Sequence, residues 1–438
     1  MEFATILSRV RKNLSISELM PLQKALADVA LPAREIVLAP TGSGKTLGFA
    51  IPLFRSLHSD KSGVQALVIA PTRELVLQIA DVLRAIAKPD YTVAAFYGGH
   101  SVEAEQNSIA SNPSVIVATP GRLLDHLRRG NLTIENPEIL VLDEYDKSLE
   151  LGFLPDIKAI VKRIGYVRSV VLTSATELKE MPDFFGRAQF DILDYREASA
   201  SKPDIEFLQV ESAAADKLDT LRMLLADIGN AKTIVFVNHR DAAERVYNAL
   251  KADGLPVALY HGGLEQDKRE RALITFANGS TPILVSTDLA SRGLDIEGVE
   301  AVVHYHLPVS EEAMTHRNGR TARMGASGKA FAIISPVDKI PDFFPQLANY
   351  WPAGKTADTP AGISTLYINA GKREKISRGD IVGFLIQKGG LKSDEVGKID
   401  IRDHCAYVAV PASKADTVIR AVAPYKLKNT RVKVSRVE

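Results

Sequence analysis

An apolar run ending at Ala39 leads into Pro40-Thr41-Gly42-Ser43-Gly44-Lys45-Thr46, and a helical pattern follows. Glycines let successive backbone N–H groups encircle phosphate oxygens, and the helix N-terminus adds the positive end of a dipole. Lys45 reaches the outer phosphates and Thr46 can ligate Mg²⁺. The strict form of this loop has glycine where this chain has Ala39. A chance Gly-rich turn is the alternative, and the order strand, loop, Lys-Thr, helix argues against it. Further on, the apolar residues Ile139 to Leu142 end in Asp143-Glu144-Tyr145-Asp146. Acids at the C-terminal end of a parallel strand face the crevice where ligands bind in such sheets. Asp143 is therefore placed to hold magnesium, usually through water, and Glu144 to orient or deprotonate an attacking water. Alone, a strand ending in acids is as often a solvated turn; the phosphate loop upstream favours catalysis.

Both motifs need a scaffold that ends its strands on one side. Short apolar runs rich in β-branched residues, Glu35 to Ala39, Ala66 to Ala70, Val115 to Ala118, Ile139 to Leu142 and Val170 to Leu172, alternate with amphipathic stretches of helical period. This predicts an α/β domain of parallel strands and crossover helices. The small, polar stretch Ala198-Ser199-Ala200-Ser201-Lys202-Pro203 reads as a linker. The pattern then resumes with Thr233 to Val237, Val257 to Tyr260, Ile283 to Ser286, Ala301 to His304 and Ala330 to Ile334. After Trp351, a segment without periodicity is punctuated by Pro352, Gly354, Pro360 and Gly362. The expected organisation is one α/β domain over residues 1–198, a second over 204–350, a linker over 351–362 and a small C-terminal domain over 363–438. That tail reads as strand (Thr365 to Ile368), helix (Ser377 to Lys388), strand (Gly397 to Ile401), strand (Ala406 to Val410), helix (Lys414 to Val422) and strand (Arg431 to Ser435). This βαββαβ order is that of RNA-recognition modules, an α+β fold.

The 438 residues carry 54 Lys and Arg against 53 Asp and Glu, and a formal net charge of +1 argues against a uniformly basic nucleic-acid binder. The balance conceals unlike parts. Residues 363–438 hold 15 basic and 8 acidic side chains, a balance of +7, which leaves −6 for residues 1–362. The basic segment suits a polyanion. A hydrophobic content of 46% supplies a core for each domain and argues against disorder. No apolar run reaches roughly 18 residues and the N-terminus lacks a secretory pattern, so a soluble, cytoplasmic protein without a membrane partner is expected. The single cysteine, Cys405, excludes an intramolecular disulfide and a multi-cysteine metal site, and reads as a small buried residue.

The ordered motifs resemble those of the DEAD-box RNA helicases over essentially the whole chain. Gln23, in Met20-Pro21-Leu22-Gln23, resembles the adenine-reading glutamine. Pro71-Thr72-Arg73-Glu74-Leu75, Gly98-Gly99 and Thr119-Pro120-Gly121-Arg122 are similar to the RNA-contacting loops of the first domain, and Ser174-Ala175-Thr176 to the motif coupling nucleotide to RNA, a role the resemblance extends to Asp146. In the second domain, Gln266 with Arg269, Ser286-Thr287-Asp288 through Arg292-Gly293-Leu294-Asp295, and His316-Arg317-Asn318-Gly319-Arg320-Thr321-Ala322-Arg323 resemble the remaining motifs. The resemblance implies two RecA-like domains, ATP and Mg²⁺ as cofactors, RNA as partner, and no obligate protein partner. It assigns Thr41 to Thr46, Gln23 and Asp295 to the nucleotide, and His316, Arg320 and Arg323, with Lys45, Asp143 and Glu144, to catalysis.

Physical chemistry agrees with these assignments. Water near a γ-phosphate attacks slowly unless positive charge meets the developing charge, and arginines delivered by another domain contribute about 10³ to 10⁵ in rate. Arg320 and Arg323 share one face if their segment is helical. Arg73, Arg122 and Arg269 can pair with phosphates, and Thr72, Thr119 and Thr287 can donate to phosphate oxygens, fixing register without reading sequence. Any one of those arginines is equally at home in a surface salt bridge; the ordered set points to RNA.

The sequence also departs from the family. Tyr145 replaces the alanine that names the box, and Asn318 and Ala322 replace the usual isoleucine and glycine. Phe3 sits closer to Gln23 than the family's adenine-stacking aromatic, and reads equally as a packing residue.

Gly371-Lys372, Asp380-Ile381-Val382-Gly383, Gly397-Lys398-Ile399 and Tyr407-Val408-Ala409-Val410 together resemble the tail of DbpA-type helicases. That group binds a structured element of large-subunit ribosomal RNA, which implies a role in ribosome biogenesis. Tyr367 and Tyr407 are either a base-stacking platform, each base worth about 1–3 kcal/mol, or strand tyrosines packed under a loop. Lys372, Arg373 and Lys375, with Lys426, Lys428, Arg431 and Lys433, are the stronger sign of binding. The expected activity is ATP-dependent local unwinding of RNA. The alternatives are an ATP-gated RNA clamp or scaffold that does not unwind, and a DNA helicase.

Overall fold

Strands that are apolar on both faces need cover on both, which a parallel sheet between two helical layers provides. A computed structural model of the protein describes all residues except 41, 100–102, 178–182, 187–188, 197–203, 289–297, 323–326, 354–361 and 438, and the side chains of 103, 104 and 183. Thr41, Arg292, Asp295, Arg323 and most of the expected linker fall outside the described residues.

The first sheet contains β1 (Arg34–Leu38), β2 (Ala66–Ile69), β3 (Val93–Phe96), β4 (Val115–Ala118), β5 (Ile139–Leu142), β6 (Ser169–Ser174) and β7 (Asp191–Asp194). All pairs are parallel and the order is β3-β4-β2-β5-β6-β1-β7. Successive side chains point to opposite faces. Val37, Val68, Val117 and Val141 thus enter one core with Phe49 and Phe54, while Ile36, Leu67, Ile116 and Leu140 enter the other with Leu124 and Ile160.

The second sheet contains β8 (Asp204–Glu211), β9 (Thr233–Val237), β10 (Val257–Tyr260), β11 (Ile283–Thr287), β12 (Ala301–His304), β13 (Ser327–Ile334) and β14 (Ala348–Asn349). Its order, β10-β11-β9-β12-β13-β8-β14, is the first sheet's order counted from β8, so the two sheets share one topology. Four strands escape a search for apolar runs. β3 is short, and β7 and β14 are exposed edges, while β8 alternates polar with apolar residues as a half-buried strand does.

The tail is a four-stranded antiparallel sheet, β16 (Ile399–Ile401), β17 (Ala406–Pro411), β15 (Ile363–Ile368) and β20 (Val434–Arg436) in that order. Two helices, Arg378–Gln387 and Ala415–Val422, complete it; Ser377 and Asp380 form a reciprocal cap at the start of the first. The expected last strand is divided. A hairpin of β18 (Lys426–Leu427) and β19 (Thr430–Arg431) turns through Lys428, at φ 59°, before β20 begins.

The first sheet forms one unit, and the second sheet and the tail together form another. Within the latter, Asn278 Nδ2 donates to Thr365 Oγ1 at 2.8 Å, and the Ser280 and Thr365 hydroxyls are 2.7 Å apart. Among the described residues, no helix is long and apolar enough to cross a membrane.

Candidate nucleotide and nucleic-acid site

Because every strand of the first sheet runs the same way, all its C-terminal ends share one edge. The strand order then sorts the candidate loops. Those following β3, β4 and β2 carry Gly98-Gly99, Thr119 to Arg122 and Pro71 to Arg73; those following β5, β6 and β1 carry Asp143 to Asp146, Ser174 to Thr176 and the phosphate loop. The presumed RNA loops and the presumed nucleotide loops therefore occupy adjoining halves of one edge, with β2 and β5 at the boundary.

The phosphate loop hangs from β1, whose end is tied to the neighbouring strand by Ala39 N donating to Ser174 O at 3.0 Å. Gly42 and Gly44 take φ of 84° and 77°, the region that favours glycine. A Cβ on Gly44 would meet Gln23 Nε2 at 2.2 Å, because Gln23 lies against the loop and donates to Gly44 O at 3.2 Å. Gln23 is 3% exposed and its oxygen accepts from Met20 N at 2.9 Å, so the proposed adenine reader and the phosphate cradle form one packed unit. Lys45 Nζ donates to Ala39 O and Pro40 O at 2.8 Å each. The Ser43 hydroxyl is buried without a hydrogen-bond partner among the described residues. Buried hydroxyls are normally bonded, and an orphaned one in this loop fits a nucleotide's phosphates. Phe3 opens the helix Phe3–Leu14 and lines a groove of about 460 Å³ with Leu7, Ile16, Leu19 and Lys24.

The carboxylates at the end of β5 are organised by a residue the motif reading passed over. Thr173, on adjacent β6, donates to Asp143 Oδ1 at 2.5 Å and accepts from Glu144 N at 3.2 Å. Burial pushes the Asp143 carboxyl above its usual range, and the Thr173 hydrogen bond and the charge of Lys45 oppose that shift. Glu144 sits at φ 46°, a conformation costing about 1–3 kcal/mol in a residue other than glycine and typical of functional sites. Thr176 Oγ1 donates to Asp146 Oδ2 at 3.1 Å, joining the expected coupling residues, while the Ser174 hydroxyl donates to Thr176 O at 2.5 Å. The hydroxyl of Thr46 and the carboxylate of Asp143 are hard oxygen donors of the kind that suits Mg²⁺ bound together with phosphates.

Tyr145 turns away from those acids. Its ring is 1% exposed, in the core below β5, with its centroid 6.5 Å from that of Phe184. The large replacement thus fills a cavity instead of crowding the carboxylates. Tyr145→Ala is expected to cost about 3–5 kcal/mol of stability, as for other large aromatic truncations, measured by the urea midpoint. A cost below about 1 kcal/mol would contradict this packing.

On the other half of the edge, Thr72 caps the helix Arg73–Ala87 by accepting from Leu75 N at 3.3 Å, and Arg73 lies over the Tyr97 ring. Thr119 precedes the helix Pro120–Arg128 without capping it, and Arg122 Nε donates to Glu105 Oε2 at 2.7 Å.

In the second unit, Gln266 and Arg269 open the helix Gln266–Ala277 after β10, with Arg269 Nη2 donating to Gln266 Oε1 at 2.5 Å. Thr287 ends β11 and is buried. His316 lies in the helix Glu311–Asn318, and Arg320 beyond its end, so Arg320 is not on a helical face as the spacing had suggested. Its Nε donates to His316 O at 3.1 Å. Arg317 is the buried anchor of this region: it pairs with Asp288 through Nε at 2.6 Å and Nη2 at 2.7 Å, and donates to Asn238 Oδ1 and His306 O. One departure from the family now has a reason, and another has none in the structure. Asn318 Oδ1 partners His304 Nε2 at 2.9 Å, and burial and Arg317 push that histidine down to about 3, keeping it neutral. Ala322 occupies φ 52°, where glycine is the easier residue.

In the tail, Tyr367 and Tyr407 are directly opposite on β15 and β17, with rings edge to face at 5.5 Å. Tyr407 is only 7% exposed, and burial, with Cys405 beside it, pushes its hydroxyl up to about 12. The nearby charge of Arg271, in the helix Gln266–Ala277, opposes that shift. Of the two readings of this pair, the burial of Tyr407 favours packed strand tyrosines over an open two-ring platform. Cys405, expected buried, is half-buried. The two basic groups, far apart in sequence, meet instead. Lys372, Arg373, Lys375, Lys426, Lys428, Arg431 and Lys433 are all exposed, and Lys428 Nζ donates to Lys375 O at 3.1 Å.

Comparison with known proteins extends this picture. Residues 20–184 match the DEAD/DEAH box helicase family, residues 216–325 the helicase conserved C-terminal domain, and residues 365–436 the DbpA RNA binding domain. The ATP-dependent RNA helicase DbpA of Escherichia coli (strain K12) is 35% identical over 94% of this chain and 93% of its own length. Its namesake from Bacillus subtilis (strain 168) is 28% identical over 98% and 96%. Among solved structures, S. cerevisiae Dbp5 bound to RNA and ADP BeF3 is similar with a TM-score of 0.69 and 27% identity, covering 76% of this chain and 88% of that one. Mss116p bound to ssRNA and AMP-PNP is similar with a TM-score of 0.64 and 26% identity, covering 76% and 72%.

Proposed function

We propose, from the premise that this chain belongs to the DEAD-box ATP-dependent RNA helicases and carries a DbpA-type RNA-binding domain, that it separates short RNA duplexes during assembly of the large ribosomal subunit. As a member of that family it binds ATP and RNA. Within this reading, residues 1–198 bind and hydrolyse ATP, residues 204–350 supply the second RecA-like domain, residues 351–362 link, and residues 363–438 address ribosomal RNA.

The observation that carries the proposal is the sorting of loops along one sheet edge. Gln23 holds the adenine, and residues 41–46 cradle the phosphates with Lys45 on the outer ones. Thr46, and Asp143 through water, would hold Mg²⁺, which when bound neutralises charge on the phosphates. Glu144 orients the attacking water and takes its proton. By the family resemblance, His316, Arg320, Arg323 and Asp295 also serve the nucleotide, with the arginines meeting charge that develops on the γ-phosphate. Pro71, Thr72, Arg73, Gly98, Gly99, Thr119 and Arg122, with Gln266, Arg269 and Thr287, hold the RNA backbone. Ser174, Thr176 and Asp146 link the two halves, because a shift of β6 moves Thr173 against Asp143 and Thr176 against Asp146 together.

The tail's exposed basic groups, Lys372 and Arg373 with Lys375 and Lys428, take most of the salt-sensitive contact to structured ribosomal RNA. Converting Lys372, Arg373 and Lys428 to glutamate is expected to make the slope of log affinity against log salt shallower by about 2–3, at about 0.7–0.9 per phosphate contact. It should also abolish the preference of the ATPase for ribosomal over random RNA. A variant that keeps both the slope and the preference would contradict this surface.

A further inference from the structure

Three loops assigned above to the RNA backbone are tied together by side chains with no role so far. The loop after β2 contributes Arg73, whose guanidinium lies 4.5 Å from the centre of the Tyr97 ring. Tyr97 opens the loop after β3, and its backbone N–H donates to Glu105 Oε1 at 3.2 Å. The other oxygen of Glu105 accepts from Arg122 Nε at 2.7 Å, in the helix after β4, and lies 2.5 Å from Nε2 of His126, one turn further along. Glu105 is 3% exposed and His126 fully buried. A carboxylate so far from water is tolerated only where fixed donors meet its charge. Here they are a backbone N–H from the loop after β3 and a guanidinium and an imidazole from the helix Pro120–Arg128.

The geometry decides what this carboxylate does for Arg122. A guanidinium is a rigid planar fork of five donors. Holding it through Nε fixes the plane in which its terminal Nη groups lie. The same carboxylate fixes Tyr97, and with it the ring on which Arg73 rests. Interfaces whose groups are set before the ligand arrives lose less entropy on binding.

We infer that Glu105 is a positioning residue for RNA: it sets Arg122 and holds the loops after β2, β3 and β4 in one arrangement, so that successive phosphates meet a preformed site. The inference rests on the reading of Arg122 as a phosphate contact. The opposite sign is physically available, since a carboxylate that merely neutralised Arg122 would repel RNA and its removal would tighten binding.

The test uses the full chain and a short single-stranded polyuridylate. Glu105→Gln keeps shape and one acceptor oxygen while removing the charge. It is expected to raise the RNA concentration for half-maximal ATPase by about tenfold, the scale of one charge-assisted hydrogen bond, with the rate at saturating RNA held within about twofold, since an interaction used only in binding moves KM and not kcat. In an Arg122→Ala background the same substitution is expected to change that concentration by no more than about twofold, because residues acting as a unit are not additive. Equal losses in both backgrounds, or tighter RNA binding by Glu105→Gln, would overturn the inference. Unchanged RNA affinity in Arg122→Ala alone would overturn the assignment of Arg122, and the inference with it, as a separate result. Should Glu105→Gln melt below the assay temperature, Glu105→Asp, which keeps the charge but shortens the reach, replaces it with the same expected direction.

Discussion

Arg320→Ala is expected to lower RNA-stimulated ATP turnover by about 10³- to 10⁵-fold, the contribution of an arginine that meets charge on a transferring phosphoryl group. The side chain is 2% exposed and its Nε is fixed by His316 O at 3.1 Å. A buried guanidinium held by a backbone carbonyl gains little from surface solvation, and its rigidity suits a group that must meet charge only in the transition state. Truncation therefore carries a folding cost as well, which a thermal melt measures independently. ATP binding, set by Lys45 and the phosphate loop in the other unit, is expected to persist in the variant. Arg320→Lys is the useful companion: it restores charge but not the planar fork, and should recover only part of the rate. If Arg320→Ala hydrolyses ATP within about tenfold of the parent, the residue does not serve the γ-phosphate.

The second large effect concerns Glu144. Its backbone is held at φ 46° with the N–H on Thr173 Oγ1, so the carboxylate is presented by a conformation that the chain adopts only because β6 lies alongside. Glu144→Gln preserves size and hydrogen bonding but cannot accept a proton. Loss of general-base catalysis is expected to cost about 10²–10⁴ in turnover, while ATP and RNA bind as in the parent. Single-turnover hydrolysis at saturating ATP and RNA measures this directly. A variant that binds ATP and still turns over at parental rate would assign the water to another residue.

The division between what was legible in the sequence and what was not follows from the range over which each feature is determined. The phosphate loop is local: Gly42, Gly44, Lys45 and Thr46 act through their own backbone and the helix that follows, so type and spacing suffice. Asp143 and Glu144 are legible for the same reason, being the end of an apolar strand. Thr173 is an ordinary strand residue until β6 is placed beside β5, and nothing in its own neighbourhood marks it. Glu105, Tyr97 and His126 meet only because β3 and β4 are adjacent, and β3 is a half-buried edge strand with two alanines, so no continuous β-branched run announces it. The tyrosines of the tail illustrate the opposite error. Their types and register are those of a stacking platform, but β-strand tyrosines also pack well, and Tyr407 is largely buried. The contrast between an acidic core and a basic tail was countable from composition, yet only the fold brings Lys375 to Lys428.

Asn318 shows how a departure from a family pattern is read once structure is available. An asparagine in place of isoleucine leaves an amide to satisfy in a buried position, and His304 satisfies it. The pair lies beside Arg317, which holds Asp288 and Asn238, so the substitution is absorbed by a polar network that spans the ends of β9, β11 and β12.

Coupling of ATP turnover to strand separation is the central claim, and one measurement addresses it: displacement of a short RNA strand from a duplex joined to the ribosomal RNA element that the tail prefers, by the parent and by Glu144→Gln, with ATP present. Rapid displacement by the parent, with repeated turnover lost in Glu144→Gln although RNA binding persists, is the predicted result. A parent that hydrolyses ATP on this RNA yet displaces no strand beyond the rate without ATP would contradict it and identify the protein as an ATP-gated clamp.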